Sequence, residues 1–195
     1  MIYITGDCHG DFEKFDIDIF PEQKEMTKED FVIICGDFGG IWEKDVSGCW
    51  ETKLLDELDS KPFTTLFVDG NHENFDRLYS YPVEEWNGGK VHKIRPSVIH
   101  LMRGQELPSE EEMLEGITNL EAHGNEVDFI VSHCCATSTQ ALIGGGRYKR
   151  DYLNEYLEKI RQSVQFKKWF FGHYHNNKNV NAQEILLYEQ IIRIV

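Results

Sequence analysis

The residues best suited to chemistry stand in five short polar clusters, each directly after a run of apolar residues. They are Gly6-Asp7-Cys8-His9, Gly36-Asp37, Gly70-Asn71-His72-Glu73, Ser132-His133 and Gly172-His173-Tyr174-His175. Carboxylate and amide oxygens mixed with imidazole nitrogens suit Mn, Fe or Zn as ligands. The absence of a Cys-x-x-Cys pair argues against a structural zinc knot. The clusters therefore predict a metal site assembled from distant segments.

The spacing within two clusters has a geometric meaning. Residues i and i+2 of an extended segment point the same way, so both side chains of Asp7-x-His9 and of His173-x-His175 can reach one site. A single cluster is weak support, because Asp-x-His and Gly-Asp are also common in turns and Asn-His-Glu could simply cap a helix. Five clusters in order, each after an expected strand, are far more specific.

The elements that position these clusters are visible as short apolar runs that alternate with helix-like segments. Each apolar run is typical of a buried strand, and the alternation predicts a layered α/β fold. The expected strands are 2–5, 31–35, 64–68, 97–102, 129–132, 168–171 and, as a pair joined by a tight turn at Glu189-Gln190, 184–188 and 191–195. The expected helices are 47–59, 74–79, 109–123 and 150–163. Ligands of open α/β sheets bind at the carboxyl ends of the strands, where all five clusters would meet.

Composition and charge restrict the class of protein. With 195 residues, the chain suits one domain covering residues 1–195. Its 34 acidic and 20 basic residues give a net charge of -14, which disfavours nucleic acid and anionic membranes as partners. Its five scattered cysteines fit a reducing compartment. The chain opens on a strand-like segment without a signal-peptide pattern, and no apolar run reaches the ~18 residues of a membrane span, so we expect a cytoplasmic protein.

The order of the clusters closely resembles the calcineurin-like metallophosphoesterase superfamily over nearly the whole chain, from Ile2 to Val195. The resemblance implies a four-layer α/β/β/α sandwich, in which helices flank two packed sheets. It also implies two divalent metal ions, with Asp37 bridging them. Asp7, His9 and His175 would bind one ion, and Asn71, His133 and His173 would bind the other.

The resemblance further implies hydrolysis of a phosphate mono- or diester by a metal-activated water, with a small phosphorylated molecule as the expected substrate. His72 would protonate the leaving oxygen, and the neighbouring Glu73 would orient or charge it. Mn²⁺ is the expected metal, with Fe, Zn, Co and Ni as alternatives. The alternatives in function are a non-catalytic scaffold of the same fold and a nuclease.

The chain also departs from parts of that family. Gly36-Asp37-Phe38-Gly39-Gly40 lacks the Asp-Arg that follows in protein Ser/Thr phosphatases and diadenosine tetraphosphate hydrolases, which puts both substrate classes in doubt. Arg77 and Arg147, followed by Arg103 and Lys149, are candidate phosphate contacts, since guanidinium groups form bidentate bonds to phosphate. Surface or helix-stabilising roles remain alternatives for these four. Similar proteins carry additional residues near Gln105, where this chain passes abruptly into Pro108.

Overall fold

The computed structural model describes residues 1–43, 49–102 and 107–195. Three sequence predictions fall outside these ranges: the start of a helix at Ser47, the phosphate contact at Arg103 and the short passage after Gln105. In the described ranges the helices are α1 (Cys49–Ser60), α2 (Phe75–Leu78), α3 (Glu110–Ala122), α4 (Thr137–Gly144) and α5 (Tyr152–Ser163). Ser109 and Glu112 form a capping box at the start of α3, and the acidic run 110–112 lies in its first turn.

The strands form two sheets. They are β1 (Ile2–Thr5), β2 (Phe31–Ile34), β3 (Thr64–Phe67), β4 (Val83–Trp86), β5 (Gly89–Arg95), β6 (Val98–Leu101), β7 (Glu126–Val131), β8 (Gln165–Phe171), β9 (Lys178–Asn179), β10 (Glu184–Leu186) and β11 (Ile192–Arg193). The larger sheet has the order β11-β1-β2-β3-β6-β5-β4, and the smaller sheet has the order β7-β8-β10-β9. Strands β1, β2, β3 and β6 run parallel, as do β7, β8 and β10. Parallel strands place their carboxyl ends at one edge of each sheet.

The two sheets pack face to face with helices outside them. Side chains alternate across a strand, so Ile4 of β1 faces the smaller sheet beside Phe170, while Tyr3 faces the cluster that contains Leu55 of α1. On the far side, Leu157 of α5 packs with buried residues of β8. These contacts give the layer order α/β/β/α, which confirms the predicted fold class.

The C-terminal strands differ from the expected pair. β10 runs parallel to β8 in the smaller sheet, whereas β11 runs antiparallel to β1 at the edge of the larger sheet. The prediction of two strands paired through a tight turn is therefore wrong, because each strand finds its hydrogen-bond partner in a different sheet. The crossing segment instead ties the sheets together next to β1. Within the described ranges, no helix combines the length and the hydrophobicity that crossing a bilayer demands.

Candidate metal centre

The predicted site residues follow the carboxyl ends of five strands. Asp7, Asp37 and Asn71 follow the neighbouring strands β1, β2 and β3, and His133 and His173 follow the neighbouring strands β7 and β8. Since both sheets present these ends to the same region, the structure brings all seven predicted ligands together. The carboxylates of Asp7 and Asp37 are buried, at 2% and 1% exposure, whereas His9, His173 and His175 are exposed.

The backbone of these loops adopts an uncommon conformation. Four site residues have left-handed φ values: His9 at 51°, Asp37 at 44°, His173 at 70° and His175 at 45°. Such residues cost on the order of 1–3 kcal/mol each and persist where surrounding contacts determine them. Here the loops hold one another, since the amide of His9 donates to the carbonyl of Asp37 at 2.7 Å and the amide of His173 donates to Asp7 Oδ1 at 3.0 Å.

Two glycines allow the closest approaches to the buried carboxylates. A Cβ at Gly172 would overlap Oδ1 of Asp7, and a Cβ at Gly70 would overlap Oδ1 of Asp37. Any larger residue at either position would push a carboxylate out of place. These two positions therefore need glycine for steric reasons, and neither has a positive φ.

One group of donors consists of Asp7, His9, Asp37 and His175, whose ligand atoms all lie within 4.8 Å of one another. His175 Nε2 is 3.0 Å from His9 Nε2 and 3.2 Å from Asp7 Oδ2. His9 Nε2 is 3.7 Å from Asp37 Oδ2. Bonds of about 2 Å to a single cation place neighbouring donors about 3 to 3.5 Å apart. The group therefore has the dimensions of a cation site.

A second group of donors lies on the other side of Asp37. Asn71 Oδ1 is 2.9 Å from His133 Nε2 and 3.0 Å from His173 Nδ1, and the two imidazole nitrogens are 3.1 Å apart. Oδ2 of Asp37, the same atom that faces His9, is 3.4 Å from His133 Nε2. His133 Nδ1 contacts the carbonyl oxygen of Cys35 at 3.0 Å, which leaves Nε2 directed at the group.

The electrostatics of the site favour a bound cation. Burial raises the pKa of Asp7 to about 7, and the nearby Asp37 acts in the same direction. Burial also lowers the pKa of His9 and of His173, which keeps both imidazoles neutral near pH 7 and able to act as ligands. By contrast, burial raises the pKa of the Cys8 thiol to about 12, so Cys8 stays a thiol and offers no thiolate to a metal.

Glu73 is bonded to the loop of Asp37. Its carboxylate accepts hydrogen bonds from the amides of Phe38 at 2.7 Å and Gly39 at 3.3 Å. Burial raises the pKa of Glu73 to about 8, although the two amide donors act in the opposite direction. This contact joins two site loops, and the expectation that Glu73 orients or charges His72 stays a prediction.

His72 lies at the rim of the site. Its imidazole is exposed, with its ring centre 5.5 Å from that of His9. Its amide donates to Asp37 Oδ1 at 2.8 Å, which fixes the backbone next to the shared carboxylate. An exposed imidazole beside the donor groups can exchange protons with solvent and with a bound molecule.

Several residues that support the site were not predicted. Lys14 Nζ donates to the carbonyl oxygens of Asp7 at 2.8 Å and Tyr188 at 2.7 Å. The Tyr188 ring stacks on the His175 ring at 4.8 Å and 17°. Lys14 thus ties the loop after β1 to the chain after β10. No local pattern reveals these contacts, because they join residues far apart in sequence.

A buried polar cluster lies behind the turn that carries Asn71 and His72. His100 Nε2 is 2.7 Å from Asp69 Oδ1, and His100 Nδ1 is 3.1 Å from His92 Nδ1. All three of these side chains are completely buried. His92 and His100 are cross-strand partners in the β5–β6 hairpin, so this hairpin contacts the turn through Asp69.

The two predicted arginine contacts are placed differently. Arg77 forms an ion pair with Glu51, at 2.6 Å, and also donates to the carbonyl oxygen of Glu43, so its guanidinium is engaged by protein groups. Arg147 is exposed in the turn after α4. Its neighbour Lys149 lines a cleft of about 200 Å³ together with His173. Phosphate binding by Arg77 and Arg147 stays a prediction, and the ion pair competes with it at Arg77.

Comparison with known proteins agrees with the site. The sequence profile of the calcineurin-like phosphoesterase family matches residues 1–177, and the chain belongs to this family. The predicted resemblance is thereby confirmed. The profile spans all five polar clusters, from Asp7 to His175.

Curated relatives match a shorter segment. The chain is 30% identical over 97 residues to lariat debranching enzyme A of Xenopus laevis and 27% identical over 97 residues to lariat debranching enzyme of Danio rerio. Each match covers 44% of this chain, and the matches cover 18% and 17% of the two relatives. The matched segment thus spans less than a fifth of either relative. A solved structure of a protein of unknown function from Aquifex aeolicus aligns with a TM-score of 0.39 and 16% identity, over 92% of this chain and 81% of that one.

Proposed function

We propose that the protein hydrolyses phosphate esters with two divalent cations. One cation would be held by Asp7, His9 and His175, and the other by Asn71, His133 and His173, with Asp37 between them. The observation that carries this proposal is the position of Asp37 Oδ2, which lies 3.7 Å from His9 Nε2 and 3.4 Å from His133 Nε2. One carboxylate oxygen facing both donor groups has the position that a shared ligand needs.

The charge of the proposed centre supports binding of an anionic substrate. Two dications would bring four positive charges, the carboxylates of Asp7 and Asp37 remove two, and neutral His and Asn ligands remove none. A net positive centre remains in a protein of net charge -14. Charges beyond about 8 Å are largely screened at physiological salt, so this local charge decides whether a phosphate binds.

The roles of the residues follow from their positions. When bound, a pair of metal ions lowers the pKa of a water and stabilises charge on phosphate oxygens. His72, exposed at the rim beside His9, donates a proton to the leaving oxygen of the ester. Glu73 accepts hydrogen bonds from the amides of Phe38 and Gly39 and so joins its own turn to the Asp37 loop. This contact fixes the distance between Asn71 and Asp37.

The donor atoms restrict the metal to a group of transition metals and zinc. Mixed imidazole, carboxylate and amide donors suit Mn²⁺, Fe, Zn, Co and Ni, and we propose Mn²⁺ as the working metal. A small phosphorylated molecule remains our proposed substrate. A nucleic acid is the second candidate, since the two matched relatives are lariat debranching enzymes, while the net charge of -14 opposes it.

The test compares three variants over several metals. The wild type and the variants are loaded with Mn²⁺, Zn²⁺, Co²⁺ or Ni²⁺, and p-nitrophenyl phosphate, bis(p-nitrophenyl) phosphate and a short oligonucleotide are offered as substrates. We expect Asp37→Ala to lose both metals. His72→Ala should keep them while turnover of the oligonucleotide, whose alkoxide leaving group needs a proton, falls about 10²- to 10⁴-fold. The two nitrophenyl esters release a weakly basic phenolate and should slow less. His123→Ala is the matched control, because His123 is an exposed histidine whose ring contacts the carbonyl oxygen of Asn119 at 2.8 Å in α3.

Each outcome has a distinct meaning. Full activity of His72→Ala on an ester with a poor leaving group would contradict its role as the acid. Metal binding without hydrolysis of any of the three substrates would favour the scaffold alternative. Metal content of one ion per chain in the active protein would contradict the dinuclear centre.

A further inference from the structure

A cleft opens beside the second donor group. Its volume is about 200 Å³, and its described lining includes Asn71, His133 and His173 of that donor group together with Tyr148 and Lys149. Binding pockets for whole small molecules hold about 300–1,000 Å³. This cleft can therefore accept one part of a substrate whose phosphate lies at the metal centre.

The aromatic wall of the cleft is held in place by its neighbours. The Tyr148 ring packs edge-on against Tyr174 with ring centres 4.9 Å apart, and Gln140 Nε2 donates to the Tyr174 hydroxyl at 3.2 Å. A Cβ at Gly144 would overlap the Tyr148 ring, so the ring lies directly against the end of α4. Even so, Tyr148 is 44% exposed. A fixed and half-exposed ring is suited to stacking on a flat group.

Lys149 adds charge to the same wall. It is exposed and lies next to Tyr148 in the chain, in a protein whose acidic residues outnumber the basic ones 34 to 20. Lys149 can contact the phosphate oxygens of an ester that carries an aromatic substituent, whereas Asp151 in the same lining offsets its charge, so the proposed metal ions would supply the net positive charge. Leu107 and Leu153 supply apolar surface around the same cleft.

We propose that this cleft binds a flat aromatic group, a nucleobase or an aryl ring, on the arm of a phosphodiester that is not released. This inference rests on the proposed dinuclear function. The described lining includes Asn71 but not His72, the residue proposed to protonate the leaving oxygen. A ring in the cleft therefore belongs to the other ester arm. A monoester has no second arm, so the cleft selects diesters.

The test uses two diesters with the same leaving group. In p-nitrophenyl phenyl phosphate the retained arm is a ring, and in p-nitrophenyl ethyl phosphate it is a short alkyl chain. Stacking of a base on an aromatic side chain corresponds to about a 10- to 100-fold change in affinity on alanine substitution. We expect Tyr148→Ala to lower kcat/KM for the phenyl ester by this factor and to leave the ethyl ester unchanged.

Two further variants separate stacking from a loss of structure. Tyr148→Phe keeps the ring and should retain the preference for the phenyl ester. Tyr152→Ala is the matched control, since Tyr152 is 45% exposed and lines a different surface groove. Intrinsic differences in reactivity between the two esters cancel, because each variant is compared with the wild type on the same pair.

A binding measurement keeps the outcomes distinct. Calorimetry compares diphenyl phosphate with diethyl phosphate on the Mn²⁺-loaded wild type and on Tyr148→Ala. If both esters are hydrolysed and Tyr148→Ala does not change the ratio of their kcat/KM values, ring binding in the cleft is contradicted while the proposed hydrolysis is retained. If diphenyl phosphate binds in a Tyr148-dependent way but neither ester is hydrolysed, ring binding in the cleft is supported and the proposed hydrolysis is contradicted. Neither hydrolysis nor Tyr148-dependent binding would overturn both.

Discussion

The buried carboxylate of Asp7 should make the metal-free protein less stable as the pH rises. Burial raises the pKa of Asp7 from 3.8 to about 7, so the folded chain holds this proton more tightly than the unfolded chain does. Between pH 4 and 7 the folded state therefore binds more protons, and its stability must fall as the pH increases through that window. Above pH 7 the full free-energy cost of burying the ionised carboxylate of Asp7 is present.

The magnitude follows from the two pKa values. A tenfold change in proton affinity corresponds to about 1.4 kcal/mol, so the interval of about three decades gives at most about 4 kcal/mol. For a chain of this size that free energy corresponds to a change in Tm on the order of 10 °C. A bound cation neutralises the carboxylate, so added metal should stabilise the protein more at pH 8 than at pH 5.

The assay is urea unfolding of the wild type and of Asp7→Asn in a chelator, at intervals from pH 4.5 to pH 8. Asn keeps an acceptor for the amide of His173 but has no charge to bury, so its stability should decline less with pH. Asp128→Asn is the control for a lost surface charge, because Asp128 is 65% exposed and paired with Lys167. Parallel stability curves for the wild type and Asp7→Asn would refute the reasoning.

Substitutions at three positions test other contacts. Gly172→Ala should weaken metal binding about 10- to 100-fold, measured by calorimetry, because its Cβ displaces the Asp7 carboxylate. Arg77→Met should cost about 3–5 kcal/mol in urea unfolding, since it leaves the buried carboxylate of Glu51 without its charged partner, and kcat/KM should not change. A raised KM with unchanged stability would instead assign Arg77 to substrate binding. His100→Leu should lower stability by a similar amount by removing the partner of a buried carboxylate, with partial recovery in His100→Gln, and equal losses in both variants would contradict this.

Much of the site was predictable because of where its residues stand relative to the strands. Asp7, Asp37 and Asn71 follow buried apolar runs, and in a parallel sheet such positions share one edge. The Asp-x-His and His-x-His spacings added specificity. The roles of these residues as ligands stay predictions until metal binding is measured, as do the single domain and the cytoplasmic location.

The missed elements have physical reasons. Strand β4 is nearly all exposed, and so it lacks the apolar run that indicates a buried strand. The turn at Asn87-Gly88, with φ values of 48° and 83°, was a usable hairpin signal. Helix α4 begins with Thr137-Ser138-Thr139, which are weak helix formers, and Ala136 at the N-cap position before it makes no side-chain hydrogen bond to the helix.

Long-range contacts could not be predicted from local sequence. The bond of Lys14 to the carbonyl of Tyr188 spans 174 positions, and the contact of Glu73 with Phe38 spans 35. The separation of β10 and β11 into different sheets has the same origin, since each strand is recruited by a partner far along the chain. Pattern and spacing indicate which strand end a residue follows, but not which distant side chain or carbonyl group it contacts.

The left-handed backbone at His9, Asp37, His173 and His175 has a consequence for how the protein takes up metal. The chain's own groups hold these loops: the amide of His9 donates to the carbonyl of Asp37, and the amide of His173 donates to the carboxylate of Asp7. We therefore expect metal ions to bind to a preformed site, without the coupled folding and binding of zinc fingers. Amide hydrogen exchange of these loops should already be slow in a chelator, and added metal should change it little.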